Sequence, residues 1–146
     1  MRSKIFTIII TLLLVLVSQA RASKVQSESM QESGIASKTE TARLVLATAR
    51  RIVDELDEPT IKEAKVRGVY EAKRQKLLKA FDKLLVKGHS PTVKELYCLH
   101  KWHVSLYRIA CSENIHSGAS KEGKRFIIGL AMSQGYVDAA IHIVGN

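Results

Sequence analysis

The chain has 146 residues, 23 Lys and Arg against 14 Asp and Glu, and a formal net charge of +9. That length suits one domain and leaves too little for two. Two cysteines and no Asn-x-Ser/Thr sequon exclude a disulfide scaffold and N-glycosylation.

The N-terminus reads as an address. Met1-Arg2-Ser3-Lys4 carries two positive charges and no acid, and an apolar run of 13 positions follows from Ile5 to Val17, broken only by Thr7 and Thr11. Ala20-Arg21-Ala22 then supplies a small-x-small ending. This order of charged, apolar and cleavage regions is that of a secretory signal peptide. A spanning helix needs about 20 apolar residues, more than this run holds. Residues 1–22 are therefore expected to be removed, giving a secreted or periplasmic protein that begins at Ser23. The processed chain keeps 20 basic and 14 acidic residues, a net +6. The alternative for this segment is a retained anchor, which would make the protein a membrane-tethered regulator.

Residues 23–37 are rich in Ser, Gln and Glu and carry no aromatic, the composition of a flexible leader. A single helical domain is expected over 38–146. Ser37-Lys38-Thr39-Glu40 has the spacing of a capping box, and Val45, Ala49, Ile52, Val53 and Leu56 recur at helical intervals. A first helix is predicted from Thr39 to Leu56. Asp57-Glu58-Pro59 ends it and starts a second, since Pro suits the first helical position. Val66, Val69, Tyr70, Leu77, Ala80, Phe81, Leu84 and Leu85 mark the apolar side of that helix, and Gly88 closes it after Lys87.

The third helix is predicted from Pro91 to Cys111. Its polar stripe is Lys94, Cys98, Lys101, Ser105, Arg108 and Ser112, at alternating spacings of four and three, and most of the remaining circumference is apolar or aromatic. Such a helix is usually central to a core, so Trp102 is expected to be buried against the second and fourth helices. A polar loop over Asn114 to Gly123 leads to a fourth helix through Phe126, Ile127, Leu130, Ala131 and Val137. Gly135 is a point where that helix could split, and Ala140 to Val144 fits either helix or strand. The fold class is all-α, a compact bundle of four or five helices behind the signal peptide.

Chemistry-bearing residues are few. His100 and His103 share a helix face, but a catalytic zinc site needs three protein ligands and a structural one four. Local sequence offers only two. Cys98 and Cys111 carry no hydrolase signature, no paired carboxylates stand out, and Gly118 and Gly123 are isolated rather than part of a phosphate loop. No catalytic residue, metal or cofactor is assigned. The two cysteines are 13 residues apart, about 20 Å of axial rise on one helix. A disulfide needs Cα atoms roughly 4.4–6.8 Å apart, so an unbridged pair is expected.

The remaining feature is a basic stripe: Lys76, Lys79, Lys83 and Lys87 at spacings of three, four and four. It suits contact with an acidic protein surface or, second, an anionic membrane surface. The one aromatic among these lysines, Phe81, belongs to the apolar side of the helix, so no stacking aromatics are interleaved with them, which argues against nucleic acid. The functional expectation is a small exported helical protein that acts by binding a partner, as a periplasmic accessory, inhibitor or immunity-type factor. The alternative from another class is a metal- or thiol-dependent enzyme using His100, His103 and a cysteine. The export reading is checked by mass spectrometry of the exported form. An N-terminus at Ser23 is expected, and intact Met1 in a membrane fraction would favour the tethered alternative.

Overall fold

The computed structural model describes residues 34–35, 37–56, 61–116 and 119–146. The export segment, most of the leader and the Asp57-Glu58-Pro59 break lie outside these residues. Contacts divide the chain between Ser37 and Lys38, and the unit from Lys38 to Asn146 carries the features below. Among the described residues the regular structure is entirely helical and contains no strand: α1 (37–55), α2 (Ala64–Leu84), α3 (Val93–His116) and α4 (Lys121–Gly145). Ala140 to Val144 forms the last turns of α4, and Gly135 does not interrupt it.

Each helix turns one stripe inward, with buried positions separated by three or four residues, apart from a gap of seven between Tyr70 and Leu77 on α2. The stripes are Ala42, Leu46, Ala49 and Val53 on α1, and Tyr70, Leu77, Phe81 and Leu84 on α2. On α3 they are Leu96, Leu99, His103, Leu106 and Ala110, and on α4 Phe126, Leu130, Ser133, Val137 and Ala140. A mean spacing of 3.5 keeps one face turned to its neighbours along nearly aligned helices. α3 packs against both α2 and α4. Across the core, the Tyr70 and Phe126 rings meet edge to face with centroids 5.5 Å apart. α4 is long and apolar enough to cross a membrane by length and composition, and its stripe from Phe126 to Ala140 is committed to this packing.

Arginines tie α1 to α2. Arg43 donates to the carbonyls of Leu85 at 2.9 Å and Val86 at 2.7 Å, at the C-terminal end of α2. Arg50 pairs with Asp82 at 2.6 Å. Arg74 donates to the carbonyls of Val53 at 3.1 Å and Asp54 at 2.8 Å, where α1 ends. The partners descend along α2 as they ascend along α1, so the two helices run antiparallel. The last two contacts also satisfy carbonyls that a helix terminus leaves without intrahelical partners. On the other side α1 meets α4 closely. A Cβ at Gly129 would stand 2.6 Å from a Leu56 methyl, so that side chain would have to move to admit one.

Several local expectations are corrected. Ser37 is itself helical, so it is not the cap of α1. Residues 61–63 are not helical, so α2 starts at Ala64 rather than at Pro59. The capping box occurs instead at Thr92 and Glu95: the Thr92 hydroxyl accepts from the Glu95 amide at 3.2 Å, and the Glu95 carboxylate accepts from the Thr92 amide at 2.8 Å. These bonds hold the Glu95 carboxyl below the usual carboxylate range, with a smaller contribution from His89 beside it. Thr92 is thus the cap, and Pro91 is buried one position before it. α3 runs beyond Cys111 to His116, and α4 begins at Lys121, where the Ser120 hydroxyl accepts from the Gly123 amide at 3.0 Å. The loop expected from Asn114 to Gly123 shrinks accordingly.

One polar group sits in the α3 stripe and one in the α4 stripe, and they are bonded to each other. His103 Nε2 and Ser133 Oγ are 2.8 Å apart, both residues fully buried. The Ser133 hydroxyl donates to the Ala49 carbonyl at 2.9 Å. Its one proton is thereby used, so Oγ must accept, and His103 must carry its proton on Nε2. Nδ1 is left buried without a partner. Burial pushes the His103 pKa down from 6.5 to about 4, with a smaller push from His100. The neutral ring is therefore the folded form.

Because the folded pKa lies below the unfolded one, the stability from this residue is complete above pH 6.5. It is lost as pH falls toward about 4. The slope is at most about 1.4 kcal/mol per pH unit across that window. Urea unfolding at stepped pH is expected to show this arm in the native protein and to lose it in His103→Gln.

Candidate functional site

The basic stripe divides on folding. Lys76, Lys79 and Lys83 are exposed on α2, as the spacing predicts. Lys87 is exposed too, but α2 ends at Leu84 and Lys87 lies in the following turn, which Gly88 closes at φ +85°. The three helical lysines line the seam between α2 and α3. The other bank of that seam is the polar stripe of α3, with Lys94, Cys98, Lys101 and Ser105. Two stripes legible separately in the sequence are thus opposite walls of one groove.

Trp102 stands in the middle of it. The sequence reading buries this ring, yet it is 49% exposed. The buried stripe of α3 runs through Leu96, Leu99, His103, Leu106 and Ala110, and Trp102 lies about 80° around from its mean direction, at the edge of the stripe. The ring therefore faces the α2 seam, flanked by two hollows. One, of about 420 Å³, is lined by Val69, Ala72, Lys73, Lys76, Lys101 and Trp102. The other, of about 660 Å³, lies among Lys79, Lys83, Leu84, Lys94, Cys98 and Trp102. Lys73 donates to the Ser105 hydroxyl at 2.9 Å and ties the banks together.

The electrostatics of the seam are one-sided. Six lysines line it: 73, 76, 79, 83, 94 and 101. The acid that lines it, Glu95, is already bonded to Thr92 and stands 3.3 Å from His89. Clustered like charge over an apolar floor raises the local potential and attracts anions. Placing Trp102 beside Lys76 and Lys101 also revises the sequence reading that no stacking aromatic accompanies the lysines. Proximity is set across helices, which spacing along a single helix does not report.

The other candidate groups do not converge. His100 reaches α4, where Nε2 stands 3.0 Å from Asp138 Oδ1, and His103 is locked to Ser133 in the core. Cys98 lies on the α2 side of the same helix, exposed, and Cys111 is half-buried farther along. Both thiols are free, on a helix that runs unbroken through them. Among the described residues no group of three or more His, Cys, Asp or Glu is placed to hold a metal ion. Comparison of the chain with protein families, curated proteins and solved structures finds no match.

Because half of the Trp102 surface faces solvent, its truncation removes less burial than loss of a core tryptophan, which costs about 3–5 kcal/mol. Trp102→Ala is expected to lower unfolding stability by about 1 kcal/mol in denaturant titration, with helical circular dichroism unchanged.

Proposed function

We propose that the protein is a small exported helical bundle that acts by binding. Its helices close in an up-and-down arrangement, and its working surface is the α2–α3 seam. The partner is a protein with an acidic surface. The observation that carries this reading is the concentration of six lysines around a half-exposed tryptophan on one face. Protein contact surfaces favour a large aromatic anchor in a pocket, and charged rims speed and orient docking. Lys76, Lys79, Lys83 and Lys87 remain the proposed contact residues, joined by Lys94, Lys101 and Trp102. The export segment gives the compartment, secreted or periplasmic.

The test is capture from that compartment on immobilised mature protein. Partner retention is expected to fall with salt and to drop at least tenfold when Lys76, Lys79, Lys83 and Lys87 are reversed to Glu. Folding should change by no more than about 0.5 kcal/mol per exposed site. Unchanged retention by the reversed protein would make the lysines an ordinary solvated face.

A further inference from the structure

We infer that the α2–α3 seam is a receptor groove for one acidic amphipathic α-helix of the partner protein. The inference rests on the reading of this seam as the contact surface and goes on to specify what fills it.

The groove has an apolar floor and a cationic rim on both banks. Val69 and Ala72 floor one end, Leu84 and Leu99 the other, and Trp102 the middle. Lys76, Lys79 and Lys83 rim the α2 bank, and Lys94 and Lys101 the α3 bank. A ligand that satisfies both parts has an apolar stripe with anions on each side. A polyanion without apolar groups would leave the floor wet. An anionic bilayer is broad and cannot enter a recess between two packed helices. A single-stranded nucleic acid uses a series of stacking rings, and this groove has one.

A peptide remains, and the walls select its conformation. An extended peptide binds by adding to a sheet edge, which pairs its backbone groups. The described residues hold no strand, and the walls here are helix side chains. A helix pairs its own backbone groups internally and needs only side-chain contacts from its host.

Dimensions agree. From Val69 to Lys83 the α2 bank is about 21 Å long at 1.5 Å per residue, enough for four turns. One hollow centres near Ala72 and Lys73, the other near Ala80. Seven or eight residues of α2 separate them, about 11 Å. Two side chains seven apart on an occupant helix are about 10 Å apart along its axis, so they would enter the two hollows and straddle Trp102. Glu and Asp at the flanking positions would meet the lysine rims.

The chain has a single tryptophan, so Trp102 emission reports the groove directly. The probes are an 18-residue peptide with Leu at heptad spacing and Glu on both flanks, the same composition scrambled to destroy the stripe, polyglutamate, and phosphatidylglycerol vesicles. The patterned peptide is expected to give a saturable blue shift and to gain helicity on binding. The Lys76→Glu/Lys83→Glu protein should bind it at least tenfold more weakly. Equal binding of scrambled peptide or polyglutamate would overturn the helix inference while leaving a basic contact face in place. A blue shift with vesicles alone would overturn both in favour of a membrane surface. No response to any anionic probe would also remove both.

Discussion

The hydrogen-bonded chain from His103 through Ser133 to the Ala49 carbonyl is the constraint on which the rest of the packing depends. It joins three helices at one level of a mostly apolar interior. Apolar stripes with three-and-four spacing can slide by a turn with modest loss, because a Leu fits most holes that another Leu fits. A hydroxyl that must donate to one backbone carbonyl and accept from one ring nitrogen cannot slide. In any other register the His103 ring nitrogen and the Ser133 hydroxyl would lose these buried partners, each at a cost of about 1–3 kcal/mol, whereas the Ala49 carbonyl keeps its own helical bond. The arrangement resembles in its logic a single polar residue that fixes the register of a coiled coil. Its own cost is the unpaired Nδ1, tolerated because burial keeps the ring neutral.

A second division of labour lies in the basic residues. Arginines act on the fold: Arg43 and Arg74 bond carbonyls at the ends of α2 and α1, and Arg67 donates to the Ile61 carbonyl at 2.7 Å just before α2. The planar guanidinium reaches two acceptors at once, which suits paired carbonyls at a helix end. Six lysines line the α2–α3 groove, each a compact charge on a flexible stem. A net positive charge that looks uniform by composition is therefore partly spent on tethering α1 and partly displayed on the α2–α3 face.

Much of the helical class was legible from periodicity, and the lysine stripe was legible from spacing. What was not legible is instructive. Ser37 with Glu40 and Thr92 with Glu95 match the same capping pattern, yet Ser37 is itself helical while Thr92 stands just before its helix and forms the box. Whether a Ser or Thr caps depends on where the preceding chain leaves the helical conformation, which a four-residue pattern does not contain. On α1 the sequence reading took Val45 and Ile52 as core and passed over Ala42 and Leu46. Both readings have helical spacing, and the choice between them is made by α4, which approaches closely enough for Ser133 to reach the Ala49 carbonyl. Trp102 was misplaced because its size was weighed above its phase. Three residues from Leu99 and four from Leu106, it sits about 80° from the mean direction of the buried stripe, at the edge of the core face.

α3 is thereby the helix that carries both tasks. Its inward stripe carries His103 at its middle and holds α1 and α4 in register, while its outward stripe presents Lys94, Lys101 and Trp102 toward α2. The two stripes share a backbone but no polar contact: His103 bonds only toward α4, and Lys73 and Ser105 bond across the opposite seam. Distant side chains with no shared partner contribute to stability independently. The groove lysines can therefore vary while the register of the core stays fixed, whereas Leu84 and Leu99 serve both the groove floor and the core.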